Sequence, residues 1–477
     1  MRARALQTLR PLEKLVSALP LTMLNPAEAI RAEHQHALLR ASTIAREELP
    51  HPRHVPHPRV YPNAYRGHIS PTGRLTANDA HVVNFALRCA EDDTPFPVWL
   101  WRARDTSVPL KGLIVICHGF NHRVDGGWRS LALELAAEGF AVAGFDQPGH
   151  GSAVGMRGYI PSFDRLATRP YTVALAALEH LKADPVAPGA VRRDGARLPV
   201  FLLGESMGGA TALTASLQQP DFWAGVMCLA PMAGIHPTLM PPDWQVRLLQ
   251  LLASWFPTLP AVPTRDFTSM CYKDPAMRLH VMNDTITRYK GKLRLSTGLS
   301  LLDGSTTIQS RAAEISVPSL CIMHGTADLV CCVDHAADVA RAAASPDTTF
   351  VAWAGAWHGL LNEPSDTVQR LARDACTWFS SRAAGAQEAY ASGQDWQGVP
   401  GHRWYSRPVG RAPWWYELKQ QQQQQQQQQP APACSEAENA AAAEEMSGQA
   451  AEHGTDPGQL MAVEEAEVVA HLAREGF

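Results

Sequence analysis

Charge is scarce in this 477-residue sequence: Asp, Glu, Lys and Arg together make up 18% of it, and the formal net charge is only −4. A protein that mainly coats nucleic acid carries a large basic surplus, and none is present, so no nucleic-acid partner is expected. No uncharged apolar stretch reaches the roughly 18 residues of a membrane span without a proline breaking it. The nine cysteines include no C-x-x-C pair, and Cys117, Cys228 and Cys321 sit in apolar, strand-like runs. That pattern points to a reduced compartment and to packing, rather than to a disulfide frame or a zinc site. The strings H-E-x-x-H, G-x-x-x-x-G-K-[ST] and G-x-G-x-x-G are missing too. Zinc-protease, P-loop and dinucleotide chemistry therefore have no foothold, and neither a metal nor a cofactor is expected. No repeat of roughly 20–50 residues is visible.

What is present is a globular balance, with 45% hydrophobic residues, unevenly charged. Residues 430–477 hold ten acidic residues against one arginine, a local charge of −9, which leaves +5 on residues 1–429. Residues 1–79 read as an N-terminal extension. Its start places Arg2, Arg4, Arg10 and Lys14 around leucines near helical spacing, interrupted by Pro11. An organellar targeting peptide, a weak secretory signal over residues 15–24, a surface amphipathic helix and a plain extension all fit. His51, His54 and His57 lie among prolines, which favours an extended linker over a metal site.

From residue 80 the texture changes. Residues 82–89, 97–104 and 112–117 read as strands, followed by a helix over 128–138, a strand over 141–145 and a helix around 171–182. A strand over 199–203, a helix over 208–219 and a strand over 225–230 come next. The last strands are 319–323 and 349–352, with helices over 334–344 and 365–381. Such alternation predicts an α/β domain over 80–383, with a mostly parallel sheet flanked by helices. Residues 234–317 interrupt it as an inserted helical cap. The cap's Leu239, Met240, Trp244, Leu248, Leu249, Leu251, Leu252, Trp255 and Phe256 are expected mostly to bury the cap against the body while roofing the site. The sheet is expected to be complete near residue 383, so that everything beyond it is dispensable for chemistry. Residues 384–419 form a Trp/Arg-rich segment with Trp396, Trp404, Trp414, Trp415 and Tyr416. A strap packed on the domain is the favoured reading over a membrane-docking patch. Residues 420–477, the polyglutamine run Gln420–Gln429 and an Ala/Glu-rich acidic tail, read as disordered, with a short helix over 461–474.

The string that carries chemistry is Leu203-Gly204-Glu205-Ser206-Met207-Gly208-Gly209, set between an apolar strand and a helix of small residues. This is G-x-S-x-G in the context that gives it meaning, a strand turning sharply into a helix with serine at the bend. Gly204 and Gly208 permit the close approach of that elbow, and the helix N-terminus aims N–H groups at the site. A serine hydroxyl needs a base, and the base an orienting acid, in the chain order serine, acid, histidine. Asp328 and His358 each lie just past the carboxyl end of a downstream strand, where open α/β sheets place their sites. His150 and His324 read as locally bonded turn residues, His280 as a cap residue, Asp146 as a turn brace, and Asp303 lacks a preceding strand. Two backbone N–H groups, of Phe120 and Met207, are the expected oxyanion donors.

Residues 80–383 resemble the monoacylglycerol lipase-type serine hydrolases of the α/β-hydrolase superfamily, nearest the plant-type branch with lysophospholipase-like and caffeoylshikimate esterase-like members. The resemblance rests on His118-Gly119, Asp146-x-x-Gly149-His150-Gly151, residues 158–164 (GYIPSFD), residues 204–210 (GESMGGA), Ala230-Pro231-Met232, His324-Gly325-x-x-Asp328 and His358-Gly359-Leu360-Leu361. It implies an α/β-hydrolase fold, a Ser206–His358–Asp328 triad, and hydrolysis of monoacylglycerol-like esters without a cofactor. Phenylpropanoid esters, lysophospholipids, or acyl transfer at the same site are the alternatives, although no H-x-x-x-x-D string is present. A non-enzymatic scaffold is disfavoured because all three triad residues are there. The implied partner is a small acyl ester, with peripheral membrane or lipid-droplet contact and no obligate protein partner. A soluble or peripheral location, with the cytoplasm favoured over an organelle, goes with this. The sequence departs from the pattern at Asn121, where a second glycine is commoner, in the loop 123–127, and in an extra cap stretch over 238–263.

Overall fold

A computed structural model describes residues 71, 74, 80–89, 94–105, 109–183, 197–262, 267–283, 289 and 291–408. The expectations for the N-terminal extension, the His/Pro linker, residues 409–419, the polyglutamine run and the acidic tail with its helix over 461–474 lie outside these residues, as does the side chain of His280.

Nine described strands form one sheet: β1 (Ala80–Arg88), β2 (Pro95–Ala103), β3 (Gly112–Cys117), β4 (Phe140–Phe145), β5 (Val200–Glu205), β6 (Gly225–Leu229), β7 (Ser319–Gly325), β8 (Asp347–Ala354) and β9 (Gly401–Pro408). Their spatial order is β1-β2-β4-β3-β5-β6-β7-β8-β9. The β1–β2 and β2–β4 pairs are antiparallel and every pair from β4 through β9 is parallel. Strands β3 to β6 bury every residue, so they read as continuous apolar runs rather than alternating ones.

The helices are α1 (Arg129–Ala137), α2 (Phe163–Ala183), α3 (Met207–Gln218), α4 (Asp243–Trp255), α5 (Phe267–Cys271), α6 (Pro275–Asn283), α7 (Leu295–Ser310), α8 (Val333–Ala342) and α9 (Ser365–Ala391). Two cores result, one on each face. Val200 and Leu202 of β5 enter the core shared with α2, α3, α7 and α8, whereas Phe201 and Leu203 enter the core shared with α1 and α9.

Two expectations are corrected. First, the sheet does not end near residue 383. Helix α9 runs on to Ala391 with Ala383 and Ala386 fully buried, and β9 then pairs with β8 along its whole length. Arg382 and Arg403 both bond the buried Asp347 carboxylate, with contacts of 2.8–2.9 Å. Trp396 covers Gly385, and Trp404 stacks near Phe350 at 4.8 Å. Residues 392–408 are therefore a strap that includes a strand of the sheet.

Second, α4 leaves a large part of its apolar surface outside the core. None of its residues is fully buried, and Trp244, Leu248, Leu251 and Trp255 are 64%, 45%, 61% and 71% exposed along a single stripe. Helix α7, by contrast, belongs to the body: its Gly304 lies so close to Phe163 that a Cβ there would overlap the ring. Among the described residues no helix is long and apolar enough to cross a membrane. All eight described cysteines are free thiols.

Candidate active site

Ser206 sits between β5 and α3 with φ 55° and ψ −122°, in a region that side-chain-bearing residues rarely adopt. Its neighbours explain how such a bend is tolerated. A Cβ on Gly204 would lie 2.2 Å from the Gly208 carbonyl oxygen, so a side chain there would force the turn open. The bend is anchored by Ser206 N donating to Leu229 O at 3.0 Å, and by Ser206 O accepting from Ala210 N and Met232 N. Met207 opens α3, whose first-turn N–H groups have no carbonyl partner within the helix.

Strands β7 and β8 are neighbours, and this brings their trailing loops together. His358 Nδ1 donates to Asp328 Oδ2 at 2.7 Å. Asp328 Oδ1 accepts from Val330 N and Cys331 N at 2.7 and 2.9 Å. His324, read from the sequence as a local turn residue, also reaches Asp328 Oδ2 from its Nε2, at 3.1 Å. Burial alone would keep Asp328 protonated, but the His358 ring and the hydrogen bonds from both histidines prevail and hold its carboxyl well below the usual range. Burial pulls the His358 ring down, and the Asp328 carboxylate more than offsets it, so the ring is raised well above its ordinary value. The buried Cys331 thiol neighbours both His358 and Ser206. Among the described residues, Asp328, Cys331 and His358 offer ligand atoms within 4.8 Å of one another, and Asp328 and His358 are already bonded to each other.

A candidate base that is raised in this way predicts a specific pH profile. His358 accepts a proton only when neutral, so kcat/KM should fall as pH drops through its raised pKa, above the ordinary histidine value of about 6.5. Asp328→Asn removes the charge that raises it, and the acidic limb should move to lower pH while the rate drops. An unmoved limb in a kcat/KM–pH series of that variant would contradict the assignment of Asp328.

The loop after β3 completes the site. His118 Nδ1 donates to Gly119 O at 2.8 Å, and its Nε2 accepts from Gln147 N at 2.9 Å. Burial, aided by His150, pushes this ring down to about 3, so it stays neutral and braces the turn that carries Phe120. Asn121 has φ 58° and its Oδ1 accepts from Tyr289 N at 2.6 Å. Asparagine tolerates this left-handed conformation, so the departure from glycine keeps the turn and adds a tie to residue 289. Asp146 accepts from Val124 N and Ser152 N, a turn brace whose carboxyl burial pushes up to about 7. Asp303 is on the exposed face of α7, away from any strand end.

Three residues drew no functional notice in the sequence. Glu205 is buried immediately before Ser206, with Oε2 3.8 Å from His122 Nδ1, and His122 Nε2 is hydrogen-bonded to the Tyr272 hydroxyl at 2.6 Å. The His-Gly-x-x-His string 118–122 carried the signal for His122; nothing local marked Tyr272.

Comparison with known proteins agrees with this architecture. Residues 108–365 match the family described as Serine aminopeptidase, S33. Caffeoylshikimate esterase of Arabidopsis thaliana is 28% identical over 57% of this chain and 79% of its own length. Monoglyceride lipase of Homo sapiens is 26% identical over 60% of this chain and 88% of its own. A soluble variant of monoglyceride lipase from Saccharomyces cerevisiae shares the fold, with a TM-score of 0.53 and 19% identity over 63% of this chain and 95% of that one. With an elbow serine between β5 and α3 and a family match across the whole central sheet from β3 to β8, the chain belongs to the serine aminopeptidase S33 family of α/β-hydrolases.

Proposed function

We propose that this carboxylic ester hydrolase cleaves monoacylglycerol-like single-chain acyl esters through an acyl-enzyme on Ser206. The observation that carries the reading is a strained serine elbow at the end of β5 in the same sheet whose β7 and β8 end in a 2.7 Å His358–Asp328 pair. In this mechanism Ser206 Oγ attacks the ester carbonyl carbon while His358 Nε2 takes its proton. The negative oxygen that develops is held by the N–H groups of Phe120 and Met207. The C–O bond to the alcohol then breaks and His358 returns the proton to that oxygen. Water, deprotonated by His358, releases the acid and restores the serine. Asp328 keeps the ring oriented and stabilises its charged form throughout.

The substrate class draws on the apolar cap and on the relatives. Several of the relatives are monoglyceride lipases by name. The exposed stripe of α4 is a tryptophan- and leucine-rich face of the kind that rests in a lipid interface, which suits a single-chain ester presented by a membrane or lipid droplet. The test is kcat/KM over a monoacylglycerol chain-length series, with triolein and caffeoyl shikimate alongside. Affinity should climb by up to about 0.8 kcal/mol per buried methylene until the pocket is full, and triolein should be poor. Flat chain-length dependence with efficient caffeoyl-ester cleavage would replace the lipid reading with a phenylpropanoid one. Trp244→Ser with Trp255→Ser should cost more on dispersed long-chain substrate than on a soluble short-chain ester.

A further inference from the structure

Strand β9 ends the sheet, and among the described residues no strand pairs with its outer edge. An edge strand turns the N–H and C=O groups of alternate residues toward its neighbour and toward solvent. Here one bond fixes which is which. Gly401 N donates to Pro346 O at 2.9 Å, so Gly401, Arg403, Tyr405 and Arg407 turn their backbone groups toward β8. His402, Trp404 and Ser406 therefore turn theirs outward. Pro400 and Pro408 stand just beyond this row on either side, and neither has an N–H to offer. The open edge is thus a short row of donors and acceptors with a proline at each end.

The side chains of β9 alternate as well. Trp404 lies on the α8 face, against Phe350 and beneath the Arg341 guanidinium. Arg403, Tyr405 and Arg407 lie on the α9 face. There Arg403 bonds Asp347 beside Arg382, and Arg407 bonds Asp374 of α9 at 3.0 Å. Both arginines of the strand are therefore neutralised, which removes the charge that usually keeps an edge from pairing. Trp404 and Tyr405 remain 43% and 44% exposed, so each face of the edge carries an uncovered aromatic ring.

We infer that β9 is a self-association edge, on which a second copy of this chain lays its own β9 antiparallel about a two-fold axis at Trp404, so that one sheet runs through both copies. The occupant is a second copy because the strand complements itself. A two-fold axis perpendicular to the sheet opposes only residues that share a face. Centred on Trp404, it sets Trp404 against Trp404, His402 against Ser406 and Arg403 against Tyr405. Every outward N–H of the row then meets a carbonyl of the other copy. The two Trp404 rings meet across the axis, and Arg403 is brought beside the exposed Tyr405 ring, which already lies 5.7 Å from the guanidinium of its own Arg407. Moving the axis by one residue to either side sets Ser406 against Pro400 or His402 against Pro408. It also opposes Arg403 to Arg403 or to Arg407, and like charges directly opposite repel. Charge and hydrogen bonding thus select the same register. Because β5 to β9 are parallel, antiparallel pairing turns the strand ends that carry Ser206, Asp328 and His358 to opposite sides of the dimer. Each copy keeps its own site, and the pairing does not depend on ester cleavage.

The experiment is sedimentation equilibrium of the full-length protein over a concentration series. The wild type should associate reversibly to twice the 52.0 kDa of one chain and no further, since a two-fold contact closes on itself. Ser406→Pro removes an outward N–H and sets a ring in the contact, yet leaves the β8–β9 ladder intact, because that ladder bonds through Gly401, Arg403, Tyr405 and Arg407. It should weaken the association by at least about tenfold, with two hydrogen bonds lost per dimer. Tyr405→Arg, at an exposed ring, opposes a second cation to Arg403. It should also weaken the dimer, and added salt should restore part of the loss. Should the melting curve show that Ser406→Pro does not fold, Tyr405→Arg and its salt dependence decide. A wild type that stays monomeric throughout the series would leave the edge to another occupant and overturn the inference. So would a dimer that neither substitution weakens, which would put the contact elsewhere. Masses that climb past twice the chain would indicate a head-to-tail contact and overturn it too.

Discussion

Purified Ser206→Ala protein should hydrolyse esters about 10⁴–10⁶-fold more slowly in kcat, and His358→Ala should lose as much. In the proposed mechanism the two act as one unit, so the double variant should be little worse than either alone. The loss can be assigned to chemistry because alanine keeps the Cβ that already occupies the strained backbone at φ 55°. It also leaves the bonds from Ser206 N to Leu229 O and from Met232 N to Ser206 O in place. An unchanged melting temperature is therefore expected alongside the lost rate. Turnover by Ser206→Ala near that of the wild type would remove the nucleophile from the mechanism. Asp303→Asn serves as the control for the acid: its side chain is on an exposed helix face, and it should be silent.

A chain ending at Arg382 should be strongly destabilised, contrary to what the apparent end of the sheet in the sequence suggests. It would lose β9, the last two turns of α9 with the buried Ala383 and Ala386, and the cover of Trp396 over Gly385. It would also lose Arg403, one of the two guanidinium groups that neutralise the fully buried Asp347 carboxylate. Arg382 alone would then neutralise Asp347, and the lost pairing and packing would come out of the roughly 5–15 kcal/mol that holds a domain together. A chain ending at Pro408 keeps all of these contacts and should melt close to the full-length protein. Equal melting temperatures for the two truncations would show that β9 contributes nothing to stability.

The legible part of this fold is the part built from uniform apolar runs. Residues 112–117 and the string around Ser206 announced themselves because strands buried on both faces are nearly unbroken apolar runs. The adjacency of Asp328 and His358 was legible for a topological reason: consecutive parallel strands tend to be neighbours, and β7 and β8 are. The ninth strand was not. Its sequence, GHRWYSRP, carries two arginines and ends in proline, the composition of an edge strand, and it resembles a loop until β8 is there to pair with it. Helix α2 begins at Phe163, eight residues before the predicted start, because Pro170 sits inside it, a residue that ordinarily marks a boundary. For α4 the periodicity was visible, but helical spacing shows only that two faces differ, not which of them meets water. Glu205, His122 and Tyr272 belong to three distant segments, and no local pattern foretold their meeting.

The late position of β9 in the chain has a consequence for synthesis. Every other strand of the sheet lies before residue 355, so β8 forms the sheet's growing edge while α9 and the strap are still being made. From the end of β8 to the end of β9 is about 50 residues, a delay of about 3–10 s at ~5–20 residues per second. During that interval the nascent protein presents an open parallel edge whose side chains are almost all apolar or neutral. Asp347 at the head of that edge is the exception, an inward-facing charge that discourages pairing with another chain. The same carboxylate later receives Arg382 and then Arg403 in the order in which they leave the ribosome, so one acidic residue first guards the edge and then fastens the strand that closes it.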